Sequence, residues 1–276
     1  MNAVDVLALS SASATVWSHA TNSRAELAAA LRPCADGGVD MIEADILMGT
    51  TTSGEADGAL RPIMAHPPNS SSDLSFDEFI DSVFAYNSSK VTIGFKLDFK
   101  DPAVVEPCLA ALSERLQARP NIGIPVWLNA DIWSGPGGGP PKFDAVHFLR
   151  VSQEMMALQP AVQWALSPGW TTNPAAVADD ETMSYTAQHT QDAIDCLKQC
   201  NCSGVPVTFP VQCTFACRGD AHLIDLIAHE PLWSLTLWGQ IDSEATQAWV
   251  QGKAAGGDTF IDTKDLVAGT ASNATE

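Results

Sequence analysis

Hydrophobic and polar positions along this 276-residue chain fall into two alternating patterns. Short β-branched or aromatic runs with strand character occur at 14–19 (ATVWSH), 40–47 (DMIEADIL), 91–99 (VTIGFKLDF) and 125–132 (PVWLNADI). Four more follow at 162–168 (VQWALSP), 206–211 (PVTFPV), 234–239 (SLTLWG) and 258–263 (DTFIDT). Between them lie segments with helical character at 23–32, 75–86, 102–117, 143–157, 184–198, 220–229 and 243–251. Several open on a helix-start signal, such as Ser75 ahead of FDEF, or Asp101 with Pro102 in the first turn. Strand and helix alternating through one undivided chain predict the α/β class and a single (β/α)8 TIM barrel, with a doubly wound open sheet as the competing topology. The expected boundaries are a lead-in over 1–13, the barrel over 14–267 and a polar tail over 268–276. The loop GPGGGPP at 135–141 is too short to separate domains.

The departures from an apolar strand are more telling than the strands. MIEADIL places Glu43 and Asp45 inside a run otherwise suited to a core, and side chains two apart in a strand share a face. GFKLDFK repeats the device, with Lys96, Asp98 and Lys100 on one face and Phe95, Leu97 and Phe99 on the other. Burying such charges unpaired costs several kcal/mol or more, so something must compensate them. Two arrangements would do so. Either the acids pair with Lys96 and Lys100 and pin the strands, or Glu43, Asp45 and Asp98 bind a divalent cation, Mg²⁺ or Ca²⁺, whose preferred ligands are carboxylate oxygens. Then Lys100 is left for an anionic ligand. In a TIM barrel the chemistry lies at the C-terminal ends of the strands. His19 in WSHATNS and His66 in PIMAHPP fall beside two such ends and suit a general acid and base pair. Asn129 and Asp131 close the fourth strand and either line the same pocket or form a hydrogen-bonded layer of the barrel, and Trp170 in LSPGWTT either stacks on a substrate or belongs to the core. His147, His189, His222 and His229 fall in or near helices and read as surface residues.

Composition narrows the classes. Hydrophobic residues make up 46% and charged ones 17%, enough for a large core and too little charge for disorder. A formal net charge of −19 repels phosphate backbones and excludes nucleic acid as the expected partner. No apolar run is long enough for a membrane span. Asp5 within the first apolar stretch, and the lack of a basic lead, make a poor signal peptide. Sequons at Asn69, Asn87, Asn201 and Asn273 suit a secreted protein, so the compartment is open between secreted and cytoplasmic. Five of the seven cysteines crowd between 196 and 217 without paired CxxC spacing, and none receives a catalytic role. There is no GxSxG, HExxH, Walker loop or GxGxxG.

The blocks WSHATNS, MIEADIL, PIMAHPP, GFKLDFK, VWLNADIWSGP, LSPGWTT, VTFPV and LTLW follow one another as in the menorin family (family with sequence similarity 151), which this chain resembles from about Trp17 to Asp262. That family is in turn similar to the phospholipase-C-like phosphodiesterase barrels, the glycerophosphodiesterases and the sphingomyelinase D type. This resemblance implies a metal-dependent phosphodiesterase acting on a small or lipid phosphodiester. Glu43, Asp45 and Asp98 would hold Mg²⁺ or Ca²⁺, His19 and His66 would exchange protons, Lys100 would steady the phosphate and Trp238 would wall the pocket. The chain departs from the pattern at two places. His19-Ala20-Thr21 stands where glycerophosphodiesterases carry H-R-G, and Gln212 stands where menorin relatives often carry a basic residue. Both remove positive charge. The alternative is a menorin-type barrel without catalysis, acting as a binding module or extracellular cue.

Overall fold

A computed structural model describes residues 12–32, 38–52, 58–87, 92–119, 122–178, 180, 182–256 and 259–263. Strands β1 (Trp17–Ser18), β2 (Met41–Thr51), β5 (Gly94–Phe99), β6 (Pro125–Ser134), β7 (Gln163–Thr171), β8 (Val207–Gln212), β9 (Trp233–Trp238) and β10 (Thr259–Asp262) follow one another in one sheet in chain order. Helices alternate with these strands, and the class is α/β of the single TIM-barrel type. All eight expected strands are present. Two short additions were not expected: β3 (Arg61–Met64), antiparallel to β2, and β4 (Ser71–Ser72), parallel to its end.

Contacts group the chain into two compact units. The first comprises residues 16–131 and 142–166, and the second comprises the described parts of residues 1–15, 132–141 and 167–276.

In the first unit, helices α1 (Arg24–Ala30), α2 (Phe76–Tyr86), α3 (Val105–Gln117) and α4 (Ala145–Leu158) accompany β1 to β6. Ser75 caps α2 in a reciprocal capping box with Glu78, and Asp101 accepts from the Ala103 N–H at 2.9 Å just ahead of α3. The core is built on one face of each strand. Phe95 packs edge-on against Phe79 and Phe84 of α2, and Phe99 against Phe148 of α4. Odd-numbered residues of β5 therefore meet the helices, which turns Lys96 and Asp98 to the opposite face. The Asn87 side chain closes this unit's α2–β5 connection, donating to the Ile93 carbonyl at 2.9 Å and accepting from its N–H at 2.6 Å.

The second unit holds β8 to β10 with α5 (Ala187–Gln199), α6 (Cys213–Arg218), α7 (Asp220–Ile227) and α8 (Glu244–Gly256). Its core is aromatic: Trp133, Trp170, Tyr185, Phe209 and Trp233 form a chain of ring contacts between 5.2 and 6.5 Å. Trp170, open in sequence between a substrate contact and the core, is 1% exposed and packs in this stack against Trp133, Tyr185 and Phe209. His189, expected on the surface, is half-buried and accepts the Thr186 N–H at 3.1 Å as the third residue of the α5 capping box. Burial, and after it the neighbouring Cys200 and Cys196, pushes the Cys202 thiol up to about 12, which leaves it uncharged at neutral pH. Cys34 lies outside the described residues.

Candidate functional site

The ladder of the first unit builds the site. Parallel pairing sets Glu43 opposite Lys96, Asp45 opposite Asp98, and Asp98 opposite Asn129. Four neighbouring charged positions on one face of β2 and β5 result directly from that register, and all four are buried: Glu43 2%, Asp45 4%, Lys96 3% and Asp98 8% exposed. Oxygens of Glu43, Asp45 and Asp98 lie within 4.8 Å of one another. Asn129 is buried on β6 beside Asp98, and Asp131 follows two residues later on the same face, half-buried.

Lys100 leaves the end of β5 and returns its ammonium to the acids, 2.7 Å from Asp98 Oδ2 and 3.2 Å from Asp45 Oδ1. Burial alone would lower its pKa, but Asp98, Asp45 and Asp131 outweigh that and hold it well above the usual lysine range. Asp45 shows the converse balance: burial raises it, whereas Lys100, the Asn22 amide and His66 together hold it below the ordinary carboxylate range. Burial pushes Asp131 up to about 6, against Lys100 and with the help of Asp98.

Both histidines stand beside the acids. His19 Nδ1 is 3.5 Å from Glu43 Oε2, and the same oxygen accepts the Ala20 N–H at 2.6 Å. The Ala65 N–H donates to the Asp45 carbonyl at 2.9 Å, which fixes the start of the His66 segment next to that acid. His66 Nδ1 lies 2.6 Å from the Pro67 carbonyl. A carbonyl can only accept, so Nδ1 carries the proton and the neutral ring keeps its lone pair on Nε2.

Two further participants carry no sequence signature. Asn22 grips Asp45 twice, its amide donating to Oδ2 at 2.7 Å and its carbonyl accepting the Asp45 N–H at 2.9 Å. Ala20 takes φ +52°, a left-handed conformation that costs an alanine roughly 1–2 kcal/mol, to aim its N–H at Glu43. Neither residue type is unusual in a polar segment, so only the fold reveals them.

The donor set suits a hard divalent cation. Asp98 Oδ1 is buried without a hydrogen-bond donor, four acidic side chains face two lysines, and each candidate ligand is a carboxylate. An oxygen that already accepts one hydrogen bond retains a second lone pair. Trp238, the remaining expected contact, ends β9 in the second unit and is half-buried.

A family model described as the Menorin N-terminal domain matches residues 11–252. The chain is also similar to the human protein FAM151B, with 35% identity over 222 residues that span 80% of this chain and 71% of that protein. No solved structure matches. Among the described residues, no helix is long and apolar enough to cross a membrane.

Proposed function

Because the chain belongs to the menorin family, we propose that it is a metal-dependent phosphodiesterase acting on a small or lipid phosphodiester. The observation that carries this reading is the acid cluster: three carboxylates with oxygens within 4.8 Å of one another, one of whose oxygens is buried without a donor. Glu43, Asp45 and Asp98 would hold Mg²⁺ or Ca²⁺, which supplies Lewis-acid neutralisation of phosphoryl charge when bound. The Lys100 ammonium, charged at all working pH values, stabilises charge building on the non-bridging oxygens. His66, with Nδ1 committed to Pro67, presents Nε2 as a base toward the attacking hydroxyl. His19, 3.5 Å from the Glu43 carboxylate, is the partner that returns a proton to the leaving alkoxide. Asn22 keeps Asp45 ionised and in place.

The test is hydrolysis of a panel of glycerophosphodiesters and lysophospholipids, with Mg²⁺ or Ca²⁺ added to chelator-treated protein. His66→Ala should lower turnover by roughly 10²–10⁴-fold while leaving the melting temperature in place. Equal turnover in the variant and the parent would remove the mechanism.

A second reading has its own support. The Lys100 ammonium already sits between Asp98 and Asp45, so the cluster is also a satisfied ion-pair network in a binding module without catalysis. A cation at a hundred times its dissociation constant adds about 2.7 kcal/mol to stability. Thermal stabilisation by neither ion would favour this second reading.

A further inference from the structure

His19 and His66 lie on separate segments that both border β2: residues 19–23 after β1, and residues 65–75 after β3. Two side chains tie these segments to one another. Ser72, buried at the end of β4, donates its hydroxyl proton to the Asn22 carbonyl at 2.9 Å and accepts the Leu74 N–H at 3.0 Å. Beside it, the Asp73 carboxylate accepts the Arg24 N–H at 3.1 Å, at the start of α1.

Asn22, where the Ser72 hydroxyl lands, is the residue that holds Asp45. Its four polar groups are all engaged. The side chain donates to Asp45 Oδ2 and accepts the Asp45 N–H, the backbone N–H goes to Glu26 at 3.0 Å, and the backbone carbonyl takes the Ser72 proton. Glu26 and Ser72 thus fix the peptide groups on either side of the Asn22 Cα, so the side chain that reaches Asp45 starts from a backbone held at both ends. Ser72 is itself anchored to the end of β2, where the Thr50 N–H donates to the Ser70 carbonyl at 3.1 Å and the Thr52 N–H to the Ser72 carbonyl at 2.8 Å. A serine hydroxyl has one proton; here it is committed to Asn22 while a lone pair takes Leu74, so the rotor is fixed.

These bonds close a circuit around His66. One end of its segment meets Asp45 directly, through the Ala65 N–H and the Asp45 carbonyl. The other end returns to the same residue through Ser72 and Asn22.

We infer that Ser72 is a positioning residue of the acid site: through Asn22 it sets the Asp45 carboxylate for a cation, and it locks the His66 turn to that same acid. What the orientation serves rests on the metal-dependent reading above. Groups that hydrogen-bond a metal ligand typically contribute roughly 10–100-fold to metal affinity. Ser72 acts one residue further out, so the lower figure applies. Ser72→Ala strands the Asn22 carbonyl and the Leu74 N–H, and should weaken cation binding about tenfold.

The test is calorimetric titration of the chelator-treated whole chain with Ca²⁺ and with Mg²⁺, for the parent, Ser72→Ala, Asn22→Ala and the double variant. Ser75→Ala, which removes the α2 cap in the same unit, controls for a plain loss of stability. The expected pattern is a dissociation constant about tenfold higher in Ser72→Ala and near that of the parent in Ser75→Ala. The double variant should bind no more weakly than Asn22→Ala, because residues acting in series do not add. The proposal is overturned if Ser72→Ala binds as the parent does, if Ser75→Ala weakens binding equally, or if the Ser72 and Asn22 effects add in full. Hydrogen exchange at the Asn22 side-chain amide gives a reading that needs no cation, and it should quicken several-fold in Ser72→Ala but not in Ser75→Ala. If the parent takes up neither ion, the metal-dependent reading falls, and this exchange still decides the positioning role: unchanged protection overturns it.

Discussion

Replacing Lys100 by methionine is the most discriminating perturbation of the acid cluster. Methionine keeps most of the stem and removes the ammonium that lies 2.7 Å from Asp98 and 3.2 Å from Asp45. Lys96 then remains as the other lysine of the group, against Glu43, Asp45, Asp98 and Asp131. Removing one partner of a buried pair costs about 3–5 kcal/mol, because the charge left behind is uncompensated. At roughly 2–4 °C per kcal/mol for a chain approaching this size, Lys100→Met should melt on the order of 10 °C lower at pH 7. The sign of its pH dependence follows from the acids. Without Lys100 burial is less opposed at Asp45, whose folded pKa then rises above the unfolded one, so stability is retained at low pH and lost as pH climbs through the folded value. The deficit should therefore be larger at pH 7 than at pH 5. Calorimetric melting at both pH values, with and without Ca²⁺ or Mg²⁺, measures all of this. The added cation should recover a larger share of stability in Lys100→Met than in the parent, since it replaces the missing charge. A variant that melts within a degree of the parent at pH 7, or whose deficit grows toward acid, refutes the electrostatic account.

Two smaller perturbations test neighbouring parts of the same account. Asp131 ionises near 3.8 when unfolded and at about 6 in the folded chain, so folding holds a proton across that window and stability falls as pH rises through it. Asp131→Asn should flatten the fall and raise stability at pH 7 by on the order of 2–3 kcal/mol, with little change at pH 4, as read from urea titrations at the two pH values. Ala20→Gly removes a left-handed penalty while keeping the N–H to Glu43, and should stabilise by up to about 1 kcal/mol without altering the pH profile; a loss of stability would show that φ +52° carries no strain.

The strands and the acid face were legible in the sequence for one reason: both depend on a period of two. Phe95, Leu97 and Phe99 meeting the helices, and Lys96 with Asp98 opposite them, follow from alternation once the strand is recognised. Elements without periodicity were invisible. RPIM, which forms β3, carries a charge, a proline and only two apolar residues beyond it, and owes its strand geometry to the tail of β2. Helix α6 is six residues long and begins on the Gln212 cap, a pattern too brief to separate from a loop. Trp170 was ambiguous because an aromatic at a strand end has the same appearance whether it faces a ligand or, as here, Trp133 and Phe209. The Asn22 side chain and the Ala20 N–H reach Asp45 and Glu43 across 23 residues of chain, which no local spacing announces.

The Asn87 amide has a consequence for any host that decorates this chain. Oligosaccharide transfer puts a bulky sugar on the side-chain nitrogen of a sequon and leaves it one N–H, and at Asn87 that nitrogen already donates to the Ile93 carbonyl. Asn69 and Asn201 are exposed. Asn87 thus serves as a clasp ahead of β5, and a sugar installed on it would disturb the entrance to the strand that carries Lys96 and Asp98.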